Sequence, residues 1–394
     1  MSGTARRSAL PSGKLAMVCA GGGVTGALYE IGCLKGLEAL LDRSVLDLDL
    51  YVGISGGAFV AALLAQGISP HEVYQRVVSR ERSPFGVPPP LARLGLGDFA
   101  RRGRRAPRVL LEGLATALGG EGRSAYDALW ALFELVPAGL LDNSGIQEYL
   151  AALFRSRGLS DRFADLEREL LVVAVDLDTG EAVPFGSGRR RQPGVSKAVQ
   201  ASTALPGLYR PVRIGGRDYV DGGVKKTAHI NLAIQHGAKL VICINPIVPI
   251  LNRGRRGPLR GHLSNKGVTY VLDQVLRIAL HGRMQYGLER YRREHPDVDI
   301  LLIEPTRSDM RMFAYNIMRL SARQVIVEDG YRSVLASFKR HHGRYARLLR
   351  RHGITLRDPH TLPALPRPAP YRSPLGRALG GALDALESRL RPAR

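Results

Sequence analysis

Two glycine-rich stretches and one late aspartate carry residue types that could do chemistry together. Gly53-Ile54-Ser55-Gly56-Gly57 sets a serine between glycines two positions to either side, the spacing that lets a strand turn sharply into a helix and expose a hydroxyl. An apolar run ends at Ile54 and another, Ala58–Leu64, follows. Gly56 supplies the N–H next after the serine, and the second helix aims its positive end at Ser55. Upstream, Gly21-Gly22-Gly23-Val24-Thr25-Gly26 follows another apolar run. Glycines without Cβ let successive N–H groups turn toward one point, where they can hold an oxyanion. The same Gly21-x-Gly23-x-x-Gly26 spacing also satisfies a dinucleotide fingerprint, but that reading needs an acid at the end of the second strand to hold a ribose. That strand ends Val52-Gly53-Ile54-Ser55, and Asp47 and Asp49 lie at its other end. An oxyanion hole built by Gly21, Gly22, Gly23 and Gly56 is the better reading, with Gly26, Gly53 and Gly57 supporting the turns.

A serine hydroxyl needs a base. Asp221 in Tyr219-Val220-Asp221-Gly222-Gly223 is the candidate, although an aspartate beside Gly222 and Gly223 equally suits a plain turn. Histidine is the conventional alternative. His229, His236, His281 and His295 stand in helical or charged contexts, and His341-His342 in a basic run; none has a distinguishing neighbour. No HExxH or other metal-ligand spacing occurs, so no metal and no cofactor is expected.

The elements that must position these residues alternate between strand and helix, which argues for a largely parallel sheet covered by helices. Strands are expected at Leu15–Ala20, Leu48–Ile54, Leu170–Asp176, Leu240–Asn245 and Val298–Ile303. Helices are expected from about Gly26 to Leu41, over Gly56–Gly67, Ser196–Ala204 and Ile230–His236. One long helix over Gly261–His295 should carry apolar positions Val268, Val271, Leu272, Val275, Ile278 and Ala279. A second helical stretch follows Ser308 and runs to about His342. The span between the second and third strands is too long for a plain crossover and reads as a cap carrying Leu129, Trp130, Leu132, Phe133, Leu135 and Val136. The C-terminal end is Pro-rich and then amphipathic, with Leu375, Leu379, Leu383, Leu386 and Leu390 on one face.

The chain is 45% apolar and 23% charged, a balance that buries a core and excludes a disordered chain. No apolar run reaches the ~18 residues of a membrane span. Cys19, Cys33 and Cys243 occur singly, which suits a reducing compartment. With no recognisable signal peptide either, a cytoplasmic protein, peripheral on membranes at most, is expected. The net charge of +22 is mostly arginine, clustered at Arg93–Arg108, Arg253–Arg260 and from Lys339 onward. Such patches attract polyanions. With only 6% aromatic residues and no nucleic-acid motif, an anionic membrane is a better partner than nucleic acid.

In order and spacing, the Gly21–Gly26 loop, Ser55 within Gly53–Gly57 and Asp221-Gly222-Gly223 resemble the patatin-like phospholipases. Asp176-Leu177-Asp178-Thr179-Gly180 and Ala201-Ser202-Thr203-Ala204-Leu205-Pro206-Gly207 add to the resemblance, which covers about Leu15–Pro246. It implies a three-layer α/β/α sandwich with a mostly parallel sheet. It also implies a Ser–Asp dyad, Ser55 as nucleophile and Asp221 as its base, acting on lipid esters such as phospholipids or lysophospholipids. Thr25 stands where many members carry Lys or Arg, which leaves headgroup preference open. The domains expected are a disordered 1–13, a hydrolase domain over 14–310 with a cap or lid at 70–168, a helical extension over 311–358 and a Pro-rich linker with an amphipathic tail over 359–394. The rival functions are a non-enzymatic membrane-binding protein that keeps the fold and a nucleotide-binding oxidoreductase.

Overall fold

The computed structural model describes residues 13–78, 93–94, 111, 138–188, 193–252, 261–305 and 323–362. The expectations placed on residues 1–12, the basic clusters Arg93–Arg108 and Arg253–Arg260, the cap around Trp130 and the leucine-striped tail fall wholly or largely outside them.

The chain opens with β1 (Lys14–Cys19), α1 (Gly23–Leu40), β2 (Leu50–Ile54), α2 (Gly56–Ala65) and α3 (Pro70–Val78). After the short strands β3 (Arg93–Leu94) and β4 (Gly139–Asp142) come α4 (Ser144–Ser156), β5 (Glu169–Asp176) and β6 (Ala182–Phe185). Next are α5 (Val195–Ser202), β7 (Gly207–Tyr209), β8 (Val212–Ile214), β9 (Arg217–Asp221), α6 (Ile230–Gln235) and β10 (Ala238–Ile244). The described chain closes with α7 (Val268–Glu294), β11 (Asp299–Ile303), α8 (Arg323–Arg340) and α9 (His342–Arg350).

The main sheet runs β11-β10-β1-β2-β5-β9-β8, with β6 on the other edge of β5. Its first five strands are mutually parallel. Strands β1, β2 and β10 are apolar along nearly their whole length because both faces are covered. Val18, Val52, Ile54, Val173 and Val241 form a core with Ile230 and Ala233 of α6 and Met284 and Leu288 of α7. The alternate residues Met17, Cys19 and Tyr51 are equally buried, on the face that carries α1 and α2. This is the helix-covered parallel sheet expected from the alternation, and the three-layer arrangement that the resemblance implies. Cys19, Cys33 and Cys243 are all buried. No helix among the described residues is long and apolar enough to cross a membrane.

The structure departs from expectation in three places. α1 begins at Gly23 rather than near Gly26, because Gly22, at φ 146°, serves as its N-cap and the loop glycines form the first turn. The helix expected over Gly261–His295 is divided into a 3-10 turn, Leu263–Lys266, and α7. The apolar positions picked out in α7 do not face the core: Arg277, Leu280, Met284 and Leu288 do, and Val268, Val271, Leu272, Val275 and Ile278 lie exposed. Finally, the three-stranded sheet β3-β4-β7 was not anticipated, because strands of two to four residues are too short to show a period.

Close approach fixes the turn after β2. A Cβ on Gly57 would stand 2.3 Å from the carbonyl oxygen of Cys19 and 2.4 Å from that of Ala20. Gly57→Ala is expected to lower unfolding free energy by about 2–3 kcal/mol, because backbone rather than a flexible side chain must give way. Urea denaturation checks this, with Gly282→Ala as control: nothing lies within 4 Å of that Cβ, and the helix should gain up to ~1 kcal/mol.

Candidate active site

Strand register brings the two candidate residues together. Leu50–Ile54 pair in parallel with Glu169–Val173, so Ile54 lies opposite Val173. The next residue of β5, Ala174, pairs with Asp221 of the antiparallel strand β9. β6 pairs with β5 along Val172–Val175, so β2 and β9 must share the opposite edge. They meet end to end there, and Ser55 and Asp221 emerge at the junction.

Ser55 is held at φ 55°, ψ −128°, a conformation costly for a residue with a side chain and typical of a tight strand-to-helix turn. Its Oγ makes no capping bond to α2. The backbone N–H of Ser55 donates to Ser202 Oγ at 2.9 Å, and that hydroxyl donates onward to the Val173 carbonyl at 2.6 Å. Ser202, at the end of α5, therefore ties the turn to β5. Buried Asn143 orients that end of α5 by donating from its amide to the carbonyl of Gln200 at 2.8 Å. The Asp161 carboxylate accepts from the Ser196 N–H at the other end, at 2.7 Å.

The glycine loop lies over the serine. A Cβ on Gly21 would be 3.1 Å from Ser55 Cβ, and one on Gly56 would be 2.3 Å from the Gly23 carbonyl oxygen. The N-termini of α1 and α2 thus converge beside one hydroxyl. Their first-turn N–H groups have no partner within their own helices and favour negative charge. Thr25 Oγ1 donates to the Gly22 carbonyl at 3.4 Å.

Asp221 is 3% exposed. Its carboxylate accepts a hydrogen bond from the Gly223 N–H at 2.8 Å and shares one cavity with Ser55. Burial pushes its pKa up to about 6, and the nearby Ser55 hydroxyl and the Gly223 N–H pull in the other direction. Gly222 and Gly223 form the 3-10 turn that follows. Behind it, buried His229, itself at φ 41°, stands 3.2 Å from the Gly222 carbonyl through Nε2. Burial lowers its pKa to about 4, so it is neutral and donates there. His236 pairs with Glu169 and His281 stands near Glu304; neither lines the cavity that holds Ser55. Asp176, in the stretch Asp176–Gly180, accepts from the N–H groups of Asp178 and Thr179 and pairs with Arg217, and so closes the β5–β6 turn.

Ser55, Asp221, Gly223, Gly56 and Gly21–Gly23 line a single cavity of about 240 Å³. Its walls are otherwise mostly apolar, with Leu28 and Ile31 of α1, Phe59, Ile146, Leu205 and Leu280. Phe59 and Tyr149 stack with ring centroids 6.0 Å apart. Arg277, paired with Asp273 at 2.9 Å, and Arg323 add charge to the lining. Among the described residues no cluster of three or more His, Cys, Asp or Glu side chains could hold a metal.

The profile of the patatin-like phospholipases matches residues 17–234, more than half of the chain. The chain belongs to that family. The match spans the glycine loop, the Ser55 elbow and Asp221-Gly222-Gly223, so all three motifs lie inside the patatin-like region. A viral relative, the probable lipid hydrolase 463L of Invertebrate iridescent virus 6, is 20% identical over 229 residues, 57% of this chain and 64% of that protein. The chain thus spans just under two thirds of the length of that relative. Among solved structures, VipD from Legionella pneumophila covers 83% of this chain and 67% of its own, at 14% identity and TM-score 0.35. Human GIVD cytosolic phospholipase A2, in complex with methyl gamma-linolenyl fluorophosphonate, covers 90% and 61%, at 12% identity and TM-score 0.34. Within the patatin-like region the motifs were legible in the sequence; Ser202, Asn143 and His229 as supports of the turns were not. Ser202 was visible only as part of the Ala201–Gly207 stretch, and nothing in its neighbours signals that its hydroxyl bridges two strands.

Proposed function

We propose that this chain is a lipid acyl hydrolase that cleaves carboxylic esters of phospholipids or lysophospholipids through Ser55 and Asp221. The observation that carries the reading is that the Ser55 turn and the buried Asp221 carboxylate meet at the junction of β2 and β9 in a cavity lined mainly by apolar side chains. Asp221 takes the Ser55 proton as Oγ attacks the ester carbonyl. The N–H groups of the Gly21–Gly23 loop and Gly56 hold the oxyanion. Asp221 then gives the proton to the departing alcohol and leaves an acyl-Ser55. Water, deprotonated by the same carboxylate, releases the fatty acid. The apolar walls suit an acyl chain, and the likeness to a probable lipid hydrolase agrees. An anionic membrane surface is the partner this reading implies, since the chain carries a net charge of +22. Hydrolysis of a lipid panel followed by mass spectrometry, native chain against Ser55→Ala, is the direct test: equal product from both ends the proposal.

Ser202 should act on the rate without touching the substrate. Ser202→Ala leaves the Ser55 N–H and the Val173 carbonyl without their shared partner, and a nucleophile shifted by about 1 Å costs on the order of 10²-fold in rate. kcat should fall by roughly 10- to 100-fold with KM changed little, and Ser202→Thr, which keeps the hydroxyl, should recover most of it. Steady-state kinetics on a soluble acyl ester measures both values.

A further inference from the structure

We propose that the first five turns of α7 form a membrane-docking helix, which rests its outer face on an anionic bilayer and sets the mouth of the cavity at the lipid surface. The inference builds on the lipid-hydrolase reading and names the surface through which that site meets its substrate. α7 has two apolar faces where a surface helix ordinarily has one. Leu280, Met284 and Leu288 point inward, and Leu276, Arg277 and Leu280 line the cavity that contains Ser55. The opposite stripe repeats at three- and four-residue steps through Val268, Leu272, Val275 and Ala279 to Tyr286, with Val271 and Ile278 beside it. On it Val268 is 68%, Leu272 62% and Tyr286 72% exposed. So many large aliphatic side chains facing water in succession mark a contact surface rather than scattered exposure.

Charge identifies the occupant. At the cavity rim Val224 is exposed beside Lys225 and Lys226, and Arg283 of α7 donates to the backbone carbonyls of Val224 and Lys225. The acids of α7 are Asp273, already paired with Arg277, and Glu289 and Glu294 in the last two turns, Glu294 paired with Arg290. An apolar stripe flanked by cations and ended by a tyrosine and arginines is the pattern of a helix lying in a lipid interface. A second copy of the chain would face these same cations with their own kind.

Flotation of the full chain with phosphatidylcholine vesicles, with and without phosphatidylserine, tests this. The native protein should float with the anionic vesicles and far less with the neutral ones. Leu272→Glu with Val275→Glu should cut binding at least tenfold, and Lys225→Glu with Lys226→Glu by about fivefold per charge. Hydrolysis of p-nitrophenyl butyrate and the unfolding midpoint should stay unchanged in both variants. Equal flotation of native and variant chains overturns the proposal. So does a native dimer on gel filtration that Leu272→Glu abolishes, which assigns the face to self-association, or a collapse of the unfolding midpoint, which assigns it to packing within the chain. Loss of butyrate hydrolysis in Ser55→Ala, read separately, bears on the hydrolase reading and leaves the flotation result standing.

Discussion

Ser55→Ala is expected to lower hydrolysis of p-nitrophenyl acyl esters by about 10⁴-fold or more, the scale on which removing a serine nucleophile acts. It should also end covalent labelling by a fluorophosphonate. The fold should survive, because the contact that holds the turn runs through the backbone: the residue-55 N–H still reaches Ser202 Oγ, and alanine needs no more room than serine. Circular dichroism and the unfolding midpoint check that point. The glycine loop and the two helix N-termini remain in place, so a residue of catalysis above water is expected from oxyanion stabilisation alone. Activity above one hundredth of native, in a folded protein, contradicts Ser55 as nucleophile.

Asp221→Asn should be nearly as inactive, and it should be more stable. In the native protein burial lifts the Asp221 pKa from 3.8 to about 6. The base works only when ionised, so kcat/KM should rise with pH through about 6 and level off above it. Stability runs the other way. A carboxyl whose folded pKa lies above its unfolded value binds its proton more tightly when folded. Its stabilising contribution is therefore complete below about pH 4 and lost as pH climbs through about 6. At pH 8 the burial of that charge costs about 3 kcal/mol, from a shift of about two pKa units. Asparagine is neutral and retains an oxygen for the Gly223 N–H, so the variant should unfold at higher denaturant than native at pH 8 and at a similar concentration near pH 4. Urea midpoints at the two pH values measure this. A variant less stable than native at pH 8 contradicts the assignment of a buried, charged base.

Much of the fold was legible because its central strands are apolar on both faces and bounded by glycine. β1, β2, β5, β10 and β11 lie within two residues of the runs picked out in the sequence. The Ser55 turn was legible for a related reason: Gly53 and Gly57 stand where backbones approach too closely for any side chain, and composition records such crowding. Asp221 was a weaker inference, since an Asp-Gly-Gly turn and a base look alike locally. What brings Asp221 to Ser55 is the pairing of Ala174 with Asp221, a long-range register that no local window contains. The outward aliphatic stripe of α7 was visible as apolar positions, but its direction was not, for the same reason. Periodicity marks an apolar face without saying which way it turns, and here arginine and methionine share the inner one.

Two strands abutting along one neighbour have a consequence for how this chain can vary. The separation between hydroxyl and carboxylate depends on hydrogen-bond spacing along β5, and the length of polypeptide joining them does not enter. Material can be added to or removed from the connections outside β5 and α5 without moving these two side chains apart, whereas a slip of a single ladder position would turn every side chain of the slipped strand to the other face. Under the proposed function, selectivity for different esters can therefore evolve by exchanging connecting segments between residues 55 and 221, provided that β5, β9 and Ser202 are kept.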